Sequence, residues 1–316
     1  MIDKDSLKAR LKGVSVPVIT PMLSDGQVDY KGLERNLDFL IQSGIKEGTG
    51  FLLVLGTTGE FSSLSREELM EVAKTGIAVC KGRVPVVIGS NHSNIRDVIE
   101  FGNIAASLGA NAMLVRPVYY WGIPTEEMVL NHYLEIQRNV DLGIVIYNRC
   151  LTTVVDLPID TLKKLAELKN VVALKDGTHQ LSKFNKTVKA LAGKISCING
   201  WGEVYEPYTL LMGSDGFLSV AANFLPRMSL KLYASAKQGN FTEAEKIHLA
   251  LAPLLDALFS GSYGQFVELA KFALELRGLA GGLVRPPLPG ASEQQKSAIK
   301  SSLSKLQDKI ARGTSL

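Results

Sequence analysis

One lysine in the sequence directly follows a run of apolar residues that is typical of a buried strand. Val171 to Leu174 are all apolar, and Lys175 comes next. Burial lowers the pKa of a lysine, and the neutral amine that results can attack a carbonyl carbon to form a Schiff base. The alternative is that the strand ends before Lys175 and the ammonium group reaches water beside Asp176. Residues elsewhere in the chain favour the reactive interpretation.

A tyrosine ends the preceding apolar run at an equivalent point. Tyr147 follows Gly143 to Ile146, just as Lys175 follows its own run. If the two runs form neighbouring parallel strands, about 4.8 Å apart, the phenol can reach the carbinolamine that forms on Lys175. Tyrosine is a competent general acid and base, so Tyr147 is a candidate proton-transfer residue. The alternative is a tyrosine that caps the core with its hydroxyl in water.

The segment GTTGE, residues 56 to 60, places two adjacent hydroxyl groups between glycines. Glycine lets the backbone turn so that successive N–H groups can face an anion. Thr57, Thr58 and Gly59 are therefore candidate ligands of a substrate carboxylate. Threonines in a loop can instead form only local hydrogen bonds, which is the alternative here.

Eight short runs rich in Val, Ile and Leu can position these residues. The runs begin at Val14, Phe51, Val84, Ala112, Gly143, Val171, Ile195 and Gly216. Gaps of roughly 21 to 37 residues fit a strand followed by a crossover helix, and continuous apolar runs indicate strands covered on both faces. The sequence therefore predicts an α/β fold, a (β/α)8 TIM barrel, in which reactive groups gather at the C-terminal ends of the strands.

Strand patterns stop after Asn223, and four helical patterns follow. They cover residues 230–236, 242–259, 264–276 and 292–310. We expect a barrel domain over residues 1–228, followed by the last barrel helix and a C-terminal helical extension over residues 229–316.

Composition excludes several other classes of protein. The chain is 46 % hydrophobic and 21 % charged with a net charge of +4, and its basic residues are spread along its length, which favours neither a nucleic acid nor a membrane as partner. The four histidines lack metal-ligand spacing, so no metal is expected. Three cysteines without a CxxC pair, and an N-terminus without the apolar core of a signal peptide, predict a cytoplasmic location.

Together, GTTGE, the YN pair of the fifth run and ALKDG around Lys175 resemble the dihydrodipicolinate synthase and N-acetylneuraminate lyase family of class I aldolases and dehydratases. The likeness extends from VPVITPM near the start to RPPL at residues 285–288. It implies that Lys175 forms a Schiff base with pyruvate or another 2-oxo acid and that Tyr147 shuttles protons. It also implies that Thr57 and Thr58 bind the carboxylate and take part in the relay, without any cofactor.

The resemblance also implies a homo-oligomer, commonly a dimer of dimers. In this family a tyrosine often crosses a subunit interface to complete the proton relay. PVYYW offers Tyr119 and Tyr120 for that role, and we favour Tyr120.

Departures from the family pattern bear on the substrate. Synthases of dihydrodipicolinate usually read YNxPxR, whereas Cys150 and Thr152 stand here in place of the proline and the arginine. YNR, KDG and NFLP are closer to the keto-deoxy-glucarate dehydratase branch, although that branch tends to lack the threonine pair. We therefore expect a lyase acting on a 2-keto-3-deoxy sugar acid, with Arg149 and Asn199 as further substrate-binding residues.

Two alternatives stay open. One is 4-hydroxy-tetrahydrodipicolinate synthase, which uses pyruvate and aspartate semialdehyde. The other is a noncatalytic 2-oxo-acid binding protein, which the presence of both Lys175 and Tyr147 disfavours.

Overall fold

Eight parallel strands close into a barrel in chain order, which confirms the predicted TIM-barrel fold. This computed structural model describes residues 2–149, 153 and 155–311. The strands are β1 Gly13–Pro17, β2 Gly50–Val54, β3 Val86–Gly89, β4 Ala112–Val115, β5 Gly143–Asn148, β6 Val171–Asp176, β7 Ser196–Asn199 and β8 Gly216–Leu218. Each begins within two residues of its predicted start, because the continuous apolar runs mark strands that are buried on both faces.

Helices alternate with the strands and continue beyond them. They are α1 Lys4–Arg10, α2 Tyr30–Gln42, α3 Arg66–Cys80, α4 Ile95–Leu108, α5 Glu126–Asn139, α6 Ile159–Ala166, α7 Leu181–Leu191, α8 Tyr208–Leu211, α9 Pro226–Lys237, α10 Phe241–Leu258, α11 Tyr263–Glu275 and α12 Glu293–Ala311. Local chemistry sets their ends. The Ser65 hydroxyl accepts from the Glu68 N–H while the Glu68 carboxylate accepts from the Ser65 N–H, a capping box that starts α3.

Two apolar layers hold the barrel together. The larger lies between the outer face of the strands and the helices. The smaller fills the barrel interior, where Leu7 and Leu11, from α1 and the residue that caps it, pack with inward-facing side chains such as Val145, Ala173 and Ile198. Since α1 precedes β1, these leucines close the bottom of the barrel. The opposite end, where the strands finish, is left for the polar residues.

The C-terminal helices pack against the barrel and against one another. Helix α10 lies beside α9 and α12, and α11 contacts both α10 and α12. In the described part of the chain, no helix combines the length and the apolar character needed to cross a membrane.

Candidate active site

Lys175 and Tyr147 lie side by side at the ends of β6 and β5. They are directly paired in the parallel register, and the Lys175 Nζ lies 4.3 Å from the centre of the Tyr147 ring. Both side chains are buried, with 6 % and 2 % of their surface exposed. Side chains alternate along a strand, and Ala173 points into the barrel, so Lys175 points into it as well.

The surroundings of Lys175 favour a neutral amine. Burial lowers its pKa, and the nearby Arg149 guanidinium lowers it further, against an opposing effect of Tyr147. Among residues 2–149 and 155–311, no carboxylate lies within ion-pair distance of the Lys175 Nζ. Asp176 cannot neutralise the amine, because its carboxylate lies on the other face of β6 and accepts from the Asn148 Nδ2 at 3.0 Å.

Asp176 belongs to a separate polar group behind the strands. Its carboxylate also accepts from the Thr178 N–H, and burial raises its pKa to about 6. Asn148 connects this acid to Asp156, which pairs with Lys183. The two residues at the end of β6 therefore belong to different environments, as strand alternation predicts.

The GTTGE loop follows β2 and faces Tyr147. The Thr57 Oγ1 lies 3.3 Å from the Tyr147 Oη, and the Thr58 Oγ1 lies 3.3 Å from the Tyr263 Oη. Within the described residues, no group accepts a hydrogen bond from the N–H of Thr57 or Thr58. Glycine is sterically required at position 59, because a Cβ there would lie 2.8 Å from the Val18 carbonyl oxygen.

Strained backbone shapes this loop on both sides. Leu55 and Glu60 both have positive φ values, 60° and 56°, in the left-handed region that non-glycine residues avoid. The residue that ends the loop is held firmly. Glu60 forms a buried ion pair with Lys271 of α11, and its carboxylate also accepts from the Arg285 N–H at 3.2 Å. These contacts offset the cost of the strained backbone.

The two tyrosines of PVYYW occupy different environments. The Tyr119 hydroxyl donates to the Asn91 carbonyl oxygen at 3.2 Å, and the Arg116 guanidinium lies 3.1 Å from the centre of the Tyr119 ring. Tyr120 is 84 % exposed and its ring contacts Trp121, itself 76 % exposed. The role of Tyr120 in a neighbouring subunit stays a prediction.

Arg149 follows β5 and lies over the ring of Trp201. Its guanidinium carbon is 4.8 Å from the Trp201 ring centre and 5.9 Å from that of Tyr263. Gly177 makes room for this side chain, since a Cβ at Gly177 would lie 2.8 Å from the Arg149 Cγ. The glycine of KDG is therefore explained by the space that the Arg149 side chain occupies.

The structure does not support Asn199 as a pocket residue. Asn199 pairs in register with Asp176, one position beyond the inward-facing Ile198, so it points away from the barrel interior. Its amide donates to the Gly202 carbonyl and to the Glu206 carboxylate, and accepts from the Trp201 N–H. The prediction placed Asn199 correctly at a strand end but overlooked its outward parity, so its assignment to substrate binding is corrected here.

Two cavities adjoin the threonine pair, one lined by Thr57 and the other by Thr58. One, of about 390 Å³, is lined by Thr57, Tyr147, Tyr119, Arg116, Asn91 and neighbouring residues. The other, of about 240 Å³, includes Thr58, Arg149 and Tyr263. The remaining wall of the second cavity is largely apolar, with Leu218, Val220, Leu255, Leu258, Phe259 and Phe266.

Two residues of the C-terminal extension that reach the loop were missed by sequence reasoning. Tyr263 contacts Thr58, and Lys271 contacts Glu60. Only the capping pattern around Ser262 indicates that a helix begins at Tyr263. That pattern does not indicate which residues of the barrel the helix contacts. The predictions on Cys150 and Thr152 fall outside the described residues.

Comparison with known proteins agrees with this geometry. The sequence profile of the dihydrodipicolinate synthetase family matches residues 10–306. A 4-hydroxy-tetrahydrodipicolinate synthase from Psychrobacter arcticus is 35 % identical over 301 residues, covering 95 % of this chain and 96 % of its own. The enzyme of the same name from Methanocaldococcus jannaschii is 34 % identical over 296 residues, covering 93 % and 98 %.

A solved structure supports the same relationship. It is the chloride-inhibited dihydrodipicolinate synthase from Acinetobacter baumannii complexed with pyruvate. It matches with a TM-score of 0.86 and 34 % identity, over 94 % of this chain and 99 % of its own.

Proposed function

This chain belongs to the dihydrodipicolinate synthetase family and is a lyase of the class I aldolase type, and on that premise we propose that Lys175 forms its Schiff base with pyruvate. The observation that carries the proposal is the buried Lys175 amine beside Tyr147, with no carboxylate among the described residues to hold its proton. An ordinary lysine is neutral in about one molecule in 2,500 at pH 7. Each unit by which burial lowers the pKa raises that fraction about tenfold.

In the first step the neutral Nζ adds to C2 of pyruvate to give a carbinolamine. The oxygen on C2 must then take up protons and leave as water, which produces the iminium. Tyr147 is the phenol beside the amine, and its contact with the Thr57 hydroxyl supplies a route for the proton. General acid–base catalysis of this kind contributes about 10² to 10⁴ in rate.

The GTTGE loop supports binding of the pyruvate carboxylate. The N–H groups of Thr57 and Thr58 have no acceptor within the described residues, and the Thr58 hydroxyl lies beside them. Adjacent N–H groups of this kind bind anions. A carboxylate in this position would leave the carbonyl carbon directed towards Lys175 and Tyr147.

The iminium next serves as an electron sink. Loss of a proton from C3 of the bound pyruvate gives an enamine, whose C3 forms a carbon–carbon bond with the carbonyl carbon of an aldehyde. The aldehyde oxygen takes up a proton, and water then releases the product from Lys175. Cleavage is the same sequence in reverse.

For the second substrate we propose aspartate semialdehyde, as in the relatives named 4-hydroxy-tetrahydrodipicolinate synthase. This choice replaces the 2-keto-3-deoxy sugar acid that the sequence favoured, since the comparisons support the alternative better. The largely apolar wall beside Thr58 and Arg149 also offers few partners for a chain of hydroxyl groups. Arg149 lines that cavity and is the candidate partner of the aldehyde's carboxylate.

Turnover with matched substrates tests this proposal. We expect pyruvate to be consumed faster with aspartate semialdehyde than with glyceraldehyde. We also expect Arg149→Ala to raise KM for the aldehyde by roughly ten- to a hundredfold, since a hydrogen bond to a charged group is worth about 1.5–3 kcal/mol, while KM for pyruvate changes little. Release of pyruvate from a 2-keto-3-deoxy sugar acid as the only detectable reaction would contradict the choice of substrate.

We also propose that the chain forms a homo-oligomer through the segment that carries Tyr120. Tyr120, Trp121 and Ile123 are 84 %, 76 % and 82 % exposed, and such a cluster of apolar side chains is typical of a contact surface. Sedimentation velocity should give an oligomer for the wild type and a smaller species for Trp121→Ser with Ile123→Ser. A wild type that sediments as a monomer at assay concentrations would contradict this assembly.

A further inference from the structure

Tyr263 brings the C-terminal extension into contact with the carboxylate-binding loop. It is the first residue of α11, and its Oη lies 3.3 Å from the Thr58 Oγ1. The side chain also lines the cavity that contains Thr58 and Arg149. The Tyr263 hydroxyl takes no part in the chemical steps proposed above.

The phenol is well placed to act as the hydrogen-bond donor in this contact. Burial and the nearby Tyr147 raise the pKa of Tyr263 to about 12, so the phenol keeps its proton at neutral pH. A phenol is also a stronger acid than an aliphatic alcohol, and therefore the better donor of the two. When the Thr58 oxygen accepts this bond, the hydroxyl hydrogen of Thr58 is left to point elsewhere.

That hydrogen can then be donated to a carboxylate bound at the Thr57 and Thr58 N–H groups, which is the site proposed above. Thr58 then offers two donors to one anion, its N–H and its Oγ–H. A free threonine hydroxyl samples three rotamers, and an interaction that selects one of them lowers the entropic cost of binding.

We infer that Tyr263 is a positioning residue that fixes the Thr58 hydroxyl for the substrate carboxylate, an inference that rests on the function proposed above. It acts through the Thr58 hydroxyl, whereas the proposed proton route runs from Tyr147 to the Thr57 hydroxyl. Its removal should weaken binding of pyruvate and leave the chemical steps nearly unchanged.

The helix that carries Tyr263 is itself firmly held. Ser262 and Gln265 form a capping box that fixes the start of α11, and the Tyr263 ring packs on Phe266 at 5.5 Å between ring centres. Further along the same helix, Lys271 pairs with Glu60 at the other end of the loop. Helix α11 therefore contacts the GTTGE turn at two of its residues, Thr58 and Glu60.

The test is pyruvate-dependent reduction of the Schiff base with borohydride, measured over a range of pyruvate concentrations, together with kcat. For Tyr263→Phe we expect the half-saturating pyruvate concentration to rise about tenfold and kcat to stay within about threefold, as for the loss of one hydrogen bond in binding. Tyr233→Phe is the matched control, because the Tyr233 hydroxyl donates to the Asp215 carbonyl at the same distance, 3.3 Å, away from the loop. It should behave as the wild type.

A double-mutant cycle then separates positioning from an independent contact. If Tyr263 acts through Thr58, Tyr263→Phe should add little to the effect of Thr58→Val, so the double variant should resemble Thr58→Val alone. Effects that multiply would overturn the inference, as would unchanged half-saturation in Tyr263→Phe or a loss of kcat without any change in half-saturation. Absence of trapping in the wild type would instead overturn the proposed Schiff base, and this inference with it.

Discussion

Two buried lysines lie close to the same loop, and only one of them is paired. Lys271 is fully buried in α11, forms an ion pair with Glu60 and donates to the Leu283 carbonyl at 2.6 Å. Lys175 is 6 % exposed, and no carboxylate of the described residues lies within ion-pair distance; its neighbours are the Tyr147 ring and the guanidinium of Arg149. Burial lowers the pKa of both amines, but the Glu60 carboxylate opposes the effect only for Lys271.

The difference indicates what each lysine contributes. A buried ammonium with a carboxylate partner keeps its charge and holds two segments together, whereas one without such a partner is easily neutralised and becomes a nucleophile. We therefore expect removal of Lys175 to abolish activity and removal of Lys271 to damage stability.

The largest effect is expected for Lys175→Met. Turnover should fall by a factor on the order of 10⁴ or more, because methionine cannot form the Schiff base proposed for Lys175. At pH 7 the variant should be more stable than the wild type, since methionine fills the site without an amine that burial disfavours. Steady-state kinetics and urea unfolding measure the two effects, and a variant that is both active and destabilised would reverse the comparison.

Lys271→Met should give the opposite pattern. Removing one partner of a buried ion pair leaves the other charge unpaired, which typically costs about 3–5 kcal/mol. Lys296→Met provides the control, because its partner Glu268 lies 2.8 Å away in a more exposed pair, where the cost is about 0–1 kcal/mol. Equal destabilisation of the two variants in urea would show that burial of the pair does not matter.

In the double variant Glu60→Gln with Lys271→Met, part of the lost stability should return. The neutral amide leaves no unpaired charge at the site of Glu60. A double variant that is less stable than Lys271→Met alone would contradict the explanation.

The smallest effect is a dependence on pH. The pKa of Lys175 is lower in the folded protein than the ordinary value of 10.5, so the unfolded chain binds the proton more tightly. The free energy by which this shift destabilises the folded state is largest below the folded pKa of Lys175. It disappears as pH rises towards 10.5. The stability advantage of Lys175→Met over the wild type should therefore shrink as pH rises, and a difference independent of pH would show that it does not come from the amine.

Strand periodicity explains why part of this site could be predicted. The apolar runs located the strand ends, and alternation placed Lys175 and Asp176 on opposite faces. The same rule should have excluded Asn199, which shares the outward parity of Asp176. The assignment considered only that Asn199 lies at the end of a strand and not which face of the sheet its side chain occupies.

Contacts between distant segments explain why the rest could not be predicted. Tyr263 and Thr58 are separated by 205 residues, and Lys271 reaches Glu60 from the same helix. A helical pattern indicates which residues share a face but not which loop that face will cover. The paired lysine therefore looks in the sequence like any other helical lysine. The domain boundary at residue 228 and the cytoplasmic location stay predictions.

Borohydride reduction in the presence of pyruvate, followed by mass spectrometry of the peptides, tests the central claim most directly. The account predicts one reduced pyruvate adduct, located on Lys175, that is absent in Lys175→Ala and retained in Lys169→Ala. An adduct on Lys271 or another lysine, or turnover at the wild-type rate in Lys175→Ala, would contradict it.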